Sequence, residues 1–127
     1  MRRSPTDPRQ RLGARGEQLA AAHLERLGYR ILARNHRTRW GELDLIAQHR
    51  ETLAFVEVKT RRAAGGTGTP FEAVDHRKRG QVRRIAAAWL ATVADRPHVD
   101  QLRFDVIGVT VDDAGRLLEL EHREGVF

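Results

Sequence analysis

The stretch Phe55-Val56-Glu57-Val58-Lys59 constrains the fold of this chain more than any other. In a strand, side chains two apart share a face, so Glu57 and Lys59 point one way while Val56 and Val58 point the other. The same alternation runs through residues 52–60, setting Ala54, Val56 and Val58 against Leu53, Phe55, Glu57 and Lys59. An acid and a base on an otherwise apolar strand are costly to bury unless something compensates both charges. A structural ion pair is one such compensation; a site with further charged partners is another.

The preceding segment supplies those partners. Residues 41–48 read as a strand with Leu43, Leu45 and Ala47 on one face and Glu42, Asp44 and Ile46 on the other. The short polar links between successive strands suit antiparallel hairpins, and such a hairpin brings Asp44 beside Glu57. Adjacent carboxylates repel and raise each other's pKa. A divalent cation removes that penalty, and hard oxygen ligands favour Mg2+ or Mn2+. Glu42 has the facing of Asp44 but sits nearer the strand start, where rim or solvent is expected. Lys59 near such a cation helps to activate water and to stabilise charge developing on a phosphoryl oxygen. Two acids, a lysine and a cation together describe hydrolysis of a phosphodiester.

The rest of the chain reads as α/β. Residues 1–11 carry Arg2, Arg3, Arg9 and Arg11 with two prolines and no apolar period, so a flexible basic arm is expected there and a single domain over 12–127. Leu19, Ala20, Leu24 and Leu27 predict a helix over 13–27 that ends at Gly28, with Glu17 at the border of its apolar stripe. Strands follow at 29–35, 41–48 and 52–60, then a helix over about 71–93, interrupted or kinked at Gly80. Two strands close the chain, near 101–111 and 117–122, around the turn signal Asp112-Asp113-Ala114-Gly115. The order is αβββαββ.

Composition enters here. The formal charge of +6 suits a polyanionic partner, nucleic acid foremost, against the alternative of a merely solvated basic surface. Arginine supplies 21 of the 23 basic residues, so the lysine at position 59 calls for an explanation. There is no cysteine, which excludes disulfides and thiolate metal sites and agrees with a reducing cytoplasm. No apolar run is long enough to span a bilayer, and no leader is expected at the start. Arg61, Arg62, Lys78 and Arg79 flank the acid–lysine pair and suit phosphate contacts, with a solvated helix face as the alternative. The six histidines show no ligand spacing and read as incidental. Gly65, Gly66 and Gly68 mark a loop without the ending of a phosphate-binding loop. Trp40 and Trp89 read as packing residues, and Asp105 as a structural acid able to pair with an arginine.

Gly41-Glu42-Leu43-Asp44-Leu45-Ile46 followed by Phe55-Val56-Glu57-Val58-Lys59-Thr60-Arg61 resembles the PD-(D/E)xK nuclease core, with Leu43 where the motif's name has proline. More narrowly, residues 12–111 resemble the YraN family of small bacterial proteins. Gly16-Glu17, Gly28-Tyr29, Asn35, Lys78 and Arg103-Phe104-Asp105 also match its pattern. The resemblance implies a restriction-endonuclease-like fold with a mixed sheet flanked by helices. It implies Glu17, Asp44, Glu57 and Lys59 as catalytic residues, and Asp44, Glu57 and the Val58 carbonyl as ligands of Mg2+ or Mn2+. It further implies a DNA endonuclease acting on structured or branched DNA. Resolvases of this fold act as dimers, which allows a homodimer. Gln81 is followed by Ile85 where some relatives have Q-x-x-x-Y, which disfavours an exonuclease of that type. A nucleic-acid-binding or adaptor protein with little turnover is the alternative, and RNA the alternative substrate.

Overall fold

The computed structural model describes residues 7–63, 76–93 and 99–126, with backbone alone at 76–79. Helix α1 spans Pro8–Arg26. Asp7 caps it, accepting the Arg9 N–H at 2.9 Å, and Pro8 fills the first turn, where its missing N–H costs nothing. The helix thus starts at Pro8 rather than Gly13, so Pro8–Arg11 form its opening turn instead of belonging to an arm; residues 1–6 lie outside the described residues. Gly28, at φ +97°, gives the expected left-handed exit.

Strands β1 (Arg30–Thr38), β2 (Gly41–His49) and β3 (Thr52–Arg62) form two antiparallel hairpins. Helix α2 (His76–Thr92) leads to β4 (Gln101–Val111), which pairs parallel to β3. Strand β5 (Leu117–Arg123) then closes the sheet antiparallel to β4, giving the order β1-β2-β3-β4-β5. This is the expected αβββαββ mixed sheet, consistent with a restriction-endonuclease-like core. Helix α2 runs through Gly80 without ending there. The glycines at 65, 66 and 68 and the expected helix start at 71–75 lie outside the described residues. Among the described residues, no helix is long and apolar enough to cross a membrane.

Each helix covers one face of the sheet. Ala20, Ala21 and Leu24 of α1 pack with Leu45, Ala47, Ala54, Val56, Ile107 and Val109. Ile85, Ala86 and Trp89 of α2 pack with Leu43, Ile46, Leu53 and Phe55. The alternation expected in β2 therefore slips. Leu43 was expected on the face of Leu45 and Ala47, yet it joins Ile46 on the α2 side. The slip coincides with a fork in the sheet. The β2–β3 ladder runs from His49↔Thr52 to Leu45↔Val56 and stops. On the other side, Arg34↔Leu45 and His36↔Leu43 skip the Asn35–Asp44 step, where Asn35 adopts φ +51°.

Helix α1 reaches the sheet closely because residue 16 has no side chain. A Cβ there would lie 1.7 Å from Thr60 Oγ1 and 2.7 Å from Thr60 Cβ. Gly16→Ala should therefore push α1 off β3 and cost about 1–3 kcal/mol of stability, despite the roughly 1 kcal/mol advantage of alanine in a helix. Denaturant unfolding reads this directly. An unchanged midpoint would mean that α1 does not depend on this approach.

Candidate active site

Asp44 sits in the fork where β2 leaves β3. Its Oδ2 accepts the Val58 N–H at 2.7 Å, so a side chain replaces the ladder that the backbone gives up. In an antiparallel ladder one residue directs its N–H and C=O to the same neighbour, so the Val58 carbonyl opens on the same fork. Glu17, from α1, and Glu42, from the start of β2, each offer a carboxylate oxygen within 4.8 Å of one on Asp44 and of each other. Glu57 lies close enough for its charge to push up the Asp44 pKa. On β3 the Lys59 ammonium lies 3.1 Å from Glu57 Oε1.

Asn35 ties the group together. With its amide turned so that nitrogen faces the acids, that nitrogen lies 2.9 Å from Glu42 Oε1 and 2.8 and 3.1 Å from the two Glu17 oxygens. Its left-handed backbone, which asparagine tolerates better than most residues, places it opposite Asp44. Arg37 Nε contacts Glu42 Oε2 at 3.3 Å from outside.

The electrostatics follow from crowding. Burial, the Asp44 charge, a hydrogen bond to Asp44 and the Glu42 charge push the Glu17 carboxyl up to about 7, with Asn35 opposing. Burial also raises Asp44, helped by Glu57 and Glu42, while the Val58 N–H and the hydrogen bond from Glu17 work against it. Where Glu17 and Asp44 share a hydrogen bond, Glu17 is the member that carries the proton, and it does so below about pH 7. A divalent cation can take the place of that shared proton. Cis and trans oxygens around Mg2+ are roughly 3 and 4 Å apart, so these carboxylates need only small side-chain rotations to close on one ion. The all-oxygen donor set fits Mg2+ or Mn2+ and gives a softer metal no thiolate or imidazole.

The structure brings Glu17, Asp44, Glu57, Lys59 and Val58 to one place. Glu42, expected at the rim, is exposed yet joins the carboxylate group. Its signal was present in its shared facing with Asp44, whereas the role of Asn35 had no signal in composition or spacing. Arg62 is exposed beyond the site, and Arg61 is turned onto β4, its Nε 3.3 Å from Thr110 Oγ1. The side chains of Lys78 and Arg79 lie outside the described residues. Gln81 donates from Nε2 to the Trp40 carbonyl, anchoring the β1–β2 turn to α2. Ile85 lies in the core.

The model of the uncharacterised protein family UPF0102 matches residues 16–109, a span holding all four acids and Lys59. A UPF0102 protein of Nocardia farcinica is 51% identical over 119 residues, covering 94% of this chain and 91% of its own length. One from Geobacter sulfurreducens is 50% identical, with coverage of 91% and 88%. One from Chlorobaculum tepidum is 46% identical, with 91% of each chain covered.

Proposed function

We propose that this chain, which belongs to the uncharacterised protein family UPF0102 (the YraN family of the sequence resemblance), is a divalent-metal-dependent nuclease. The observation that carries this reading is Asp44, set in a fork of the sheet among Glu17 and Glu42 and beside the Glu57–Lys59 strand. Asp44, Glu57 and the Val58 carbonyl would hold Mg2+ or Mn2+, with Glu42 and Glu17 completing the negative charge around it. When bound, the ion supplies Lewis-acid polarisation of the phosphoryl group and lowers the pKa of water.

The chain's own groups do the rest. Lys59 places a compact positive charge where charge builds on a phosphoryl oxygen as the P–O bond to the leaving oxygen breaks. The Val58 N–H fixes one Asp44 oxygen and leaves the other to face the cluster. Asn35 keeps Glu17 and Glu42 from turning away. Arg62 and the +6 charge favour a polyanion. DNA, in branched or otherwise structured form, is the substrate in this reading, with a homodimer and a cytoplasmic location as its companions.

The test is cleavage of linear, flapped and four-way DNA and of an RNA duplex with Mg2+ or Mn2+, alongside calorimetric titration with Mn2+. Asp44→Asn should weaken Mn2+ binding by roughly 100-fold and stop cleavage. Parental Mn2+ affinity in that variant would remove Asp44 as a ligand. DNA binding without turnover on any substrate would favour the adaptor reading.

A further inference from the structure

A second cluster lies on the α1 face, built from residues far apart in the chain. Asp105 on β4 is buried, and its carboxylate is fully engaged. Arg103 donates from Nε and Nη2 at 2.8 Å each, the Gly125 N–H at 3.1 Å, and His122 Nε2 lies 2.8 Å from Oδ2. An ionised carboxylate can only accept, so His122 carries a proton on Nε2 and directs Nδ1 away from the acid. His23 of α1 presents Nε2 to that nitrogen at 3.3 Å, with the ring centroids 5.3 Å apart.

We infer that His23 and His122 form a binding site for a borderline-soft divalent transition ion such as Zn2+, separate from the carboxylate cluster. Three observations carry it. Two imidazole nitrogens about 2.0–2.1 Å from a tetrahedral ion stand roughly 3.3 Å apart, and their rings roughly 5.2 Å apart. The observed pair has both spacings, while 3.3 Å is long for a direct N–H···N hydrogen bond. The Asp105–His122 pair supplies the carboxylate behind a histidine that orients a metal ligand and raises its basicity. His23 is also biased toward its neutral form and reachable. Burial, His122 and Arg26 hold His23 below the usual histidine range, and His23 is only half-buried in the last turns of α1, where the carbonyl ends favour a cation. Arg26 opposes an ion here but is exposed and screened by solvent. Water completes the coordination.

The experiment is calorimetric titration of the untagged full chain with Zn2+, in excess Mg2+ to saturate the carboxylate cluster. Thermal unfolding with and without Zn2+ runs beside it. The parent should bind Zn2+ and unfold at a higher temperature with it. His23→Ala should keep the parental unfolding temperature without zinc, lose at least tenfold in Zn2+ affinity and lose the stabilisation; His23→Gln serves in its place if that variant folds poorly. Asp44→Asn should keep Zn2+ binding, which separates this site from the nuclease reading. Equal Zn2+ binding by parent and His23 variants, or none by the parent, overturns the proposal and leaves a plain hydrogen bond between two rings.

Discussion

Lys59→Arg should lower the single-turnover cleavage rate by at least about 100-fold, the scale on which one preorganised charge-stabilising group acts, while DNA binding stays within a few-fold of the parent. Arginine keeps the charge, so long-range attraction to phosphate survives. It replaces a compact ammonium with a wide planar fork, and the space is narrow. The Lys59 ammonium sits 3.1 Å from Glu57 Oε1, and the Glu57 side chain is only 13% exposed. A guanidinium there has to move away from the fork or displace the acids. The chain makes the test sharper, because arginine fills 21 of its 23 basic positions yet not this one. Were Lys59 only the partner of Glu57 in an ion pair, arginine should serve as well. Single-turnover cleavage and equilibrium binding on the same DNA distinguish the two. A near-parental rate would take Lys59 out of the catalytic set.

Arg103→Met should cost about 3–5 kcal/mol at neutral pH, the usual penalty for stranding one member of a buried ion pair. Arg103 is 15% exposed at the side chain and grips an Asp105 side chain that is 0% exposed. It also donates to the Tyr29 hydroxyl at 2.5 Å, joining β4 to the start of the sheet. Methionine keeps the length and apolar stem but leaves the carboxylate to His122 and the Gly125 N–H. The effect should depend on pH. Burial pushes Asp105 up, but hydrogen bonds from His122, Arg103 and Gly125 outweigh it and hold the group below the usual carboxylate range. A depressed pKa contributes stability that is present above the unfolded value, near 4, and fades as pH falls through the folded value. The gap between parent and variant should thus be widest at neutral pH and shrink in acid. Denaturant unfolding at both ends measures it. A gap independent of pH would show that the loss is one of packing alone.

Much of this was readable beforehand because it rests on local rules. The strand period set Glu57 and Lys59 on one face, and a hairpin sufficed to bring Asp44 near them. Gly28 marked the end of α1. What escaped reading depended on departures from regularity or on distant partners. The slip that moves Leu43 to the α2 side arises because Asp44 leaves the ladder to hold Val58 N–H, which strict alternation does not anticipate. Asn35 gains its role only through a left-handed backbone. The early start of α1 turned on Asp7 and Pro8, whose cap and proline outweighed the lack of an apolar period. The contact of His23 with His122 joins the first helix to the last strand, and no spacing rule spans that distance.

The parallel join of β3 to β4 bears on how the chain folds. The hairpins β1–β2 and β2–β3 each close over a tight turn, whereas the first pair of the parallel ladder links Thr52 to Gln101. Closing the longer loop costs more chain entropy before any contact repays it, and non-local pairing of this kind slows folding. Glu17, Asn35, Glu42, Asp44, Glu57 and Lys59 all precede that crossover. During synthesis they leave the ribosome ahead of β4, in the part of the chain whose strands pair over tight turns. Pairing of β4 with β3 is therefore expected to be slower than closure of the hairpins, and it adds the neighbour on the edge of β3 opposite to Asp44.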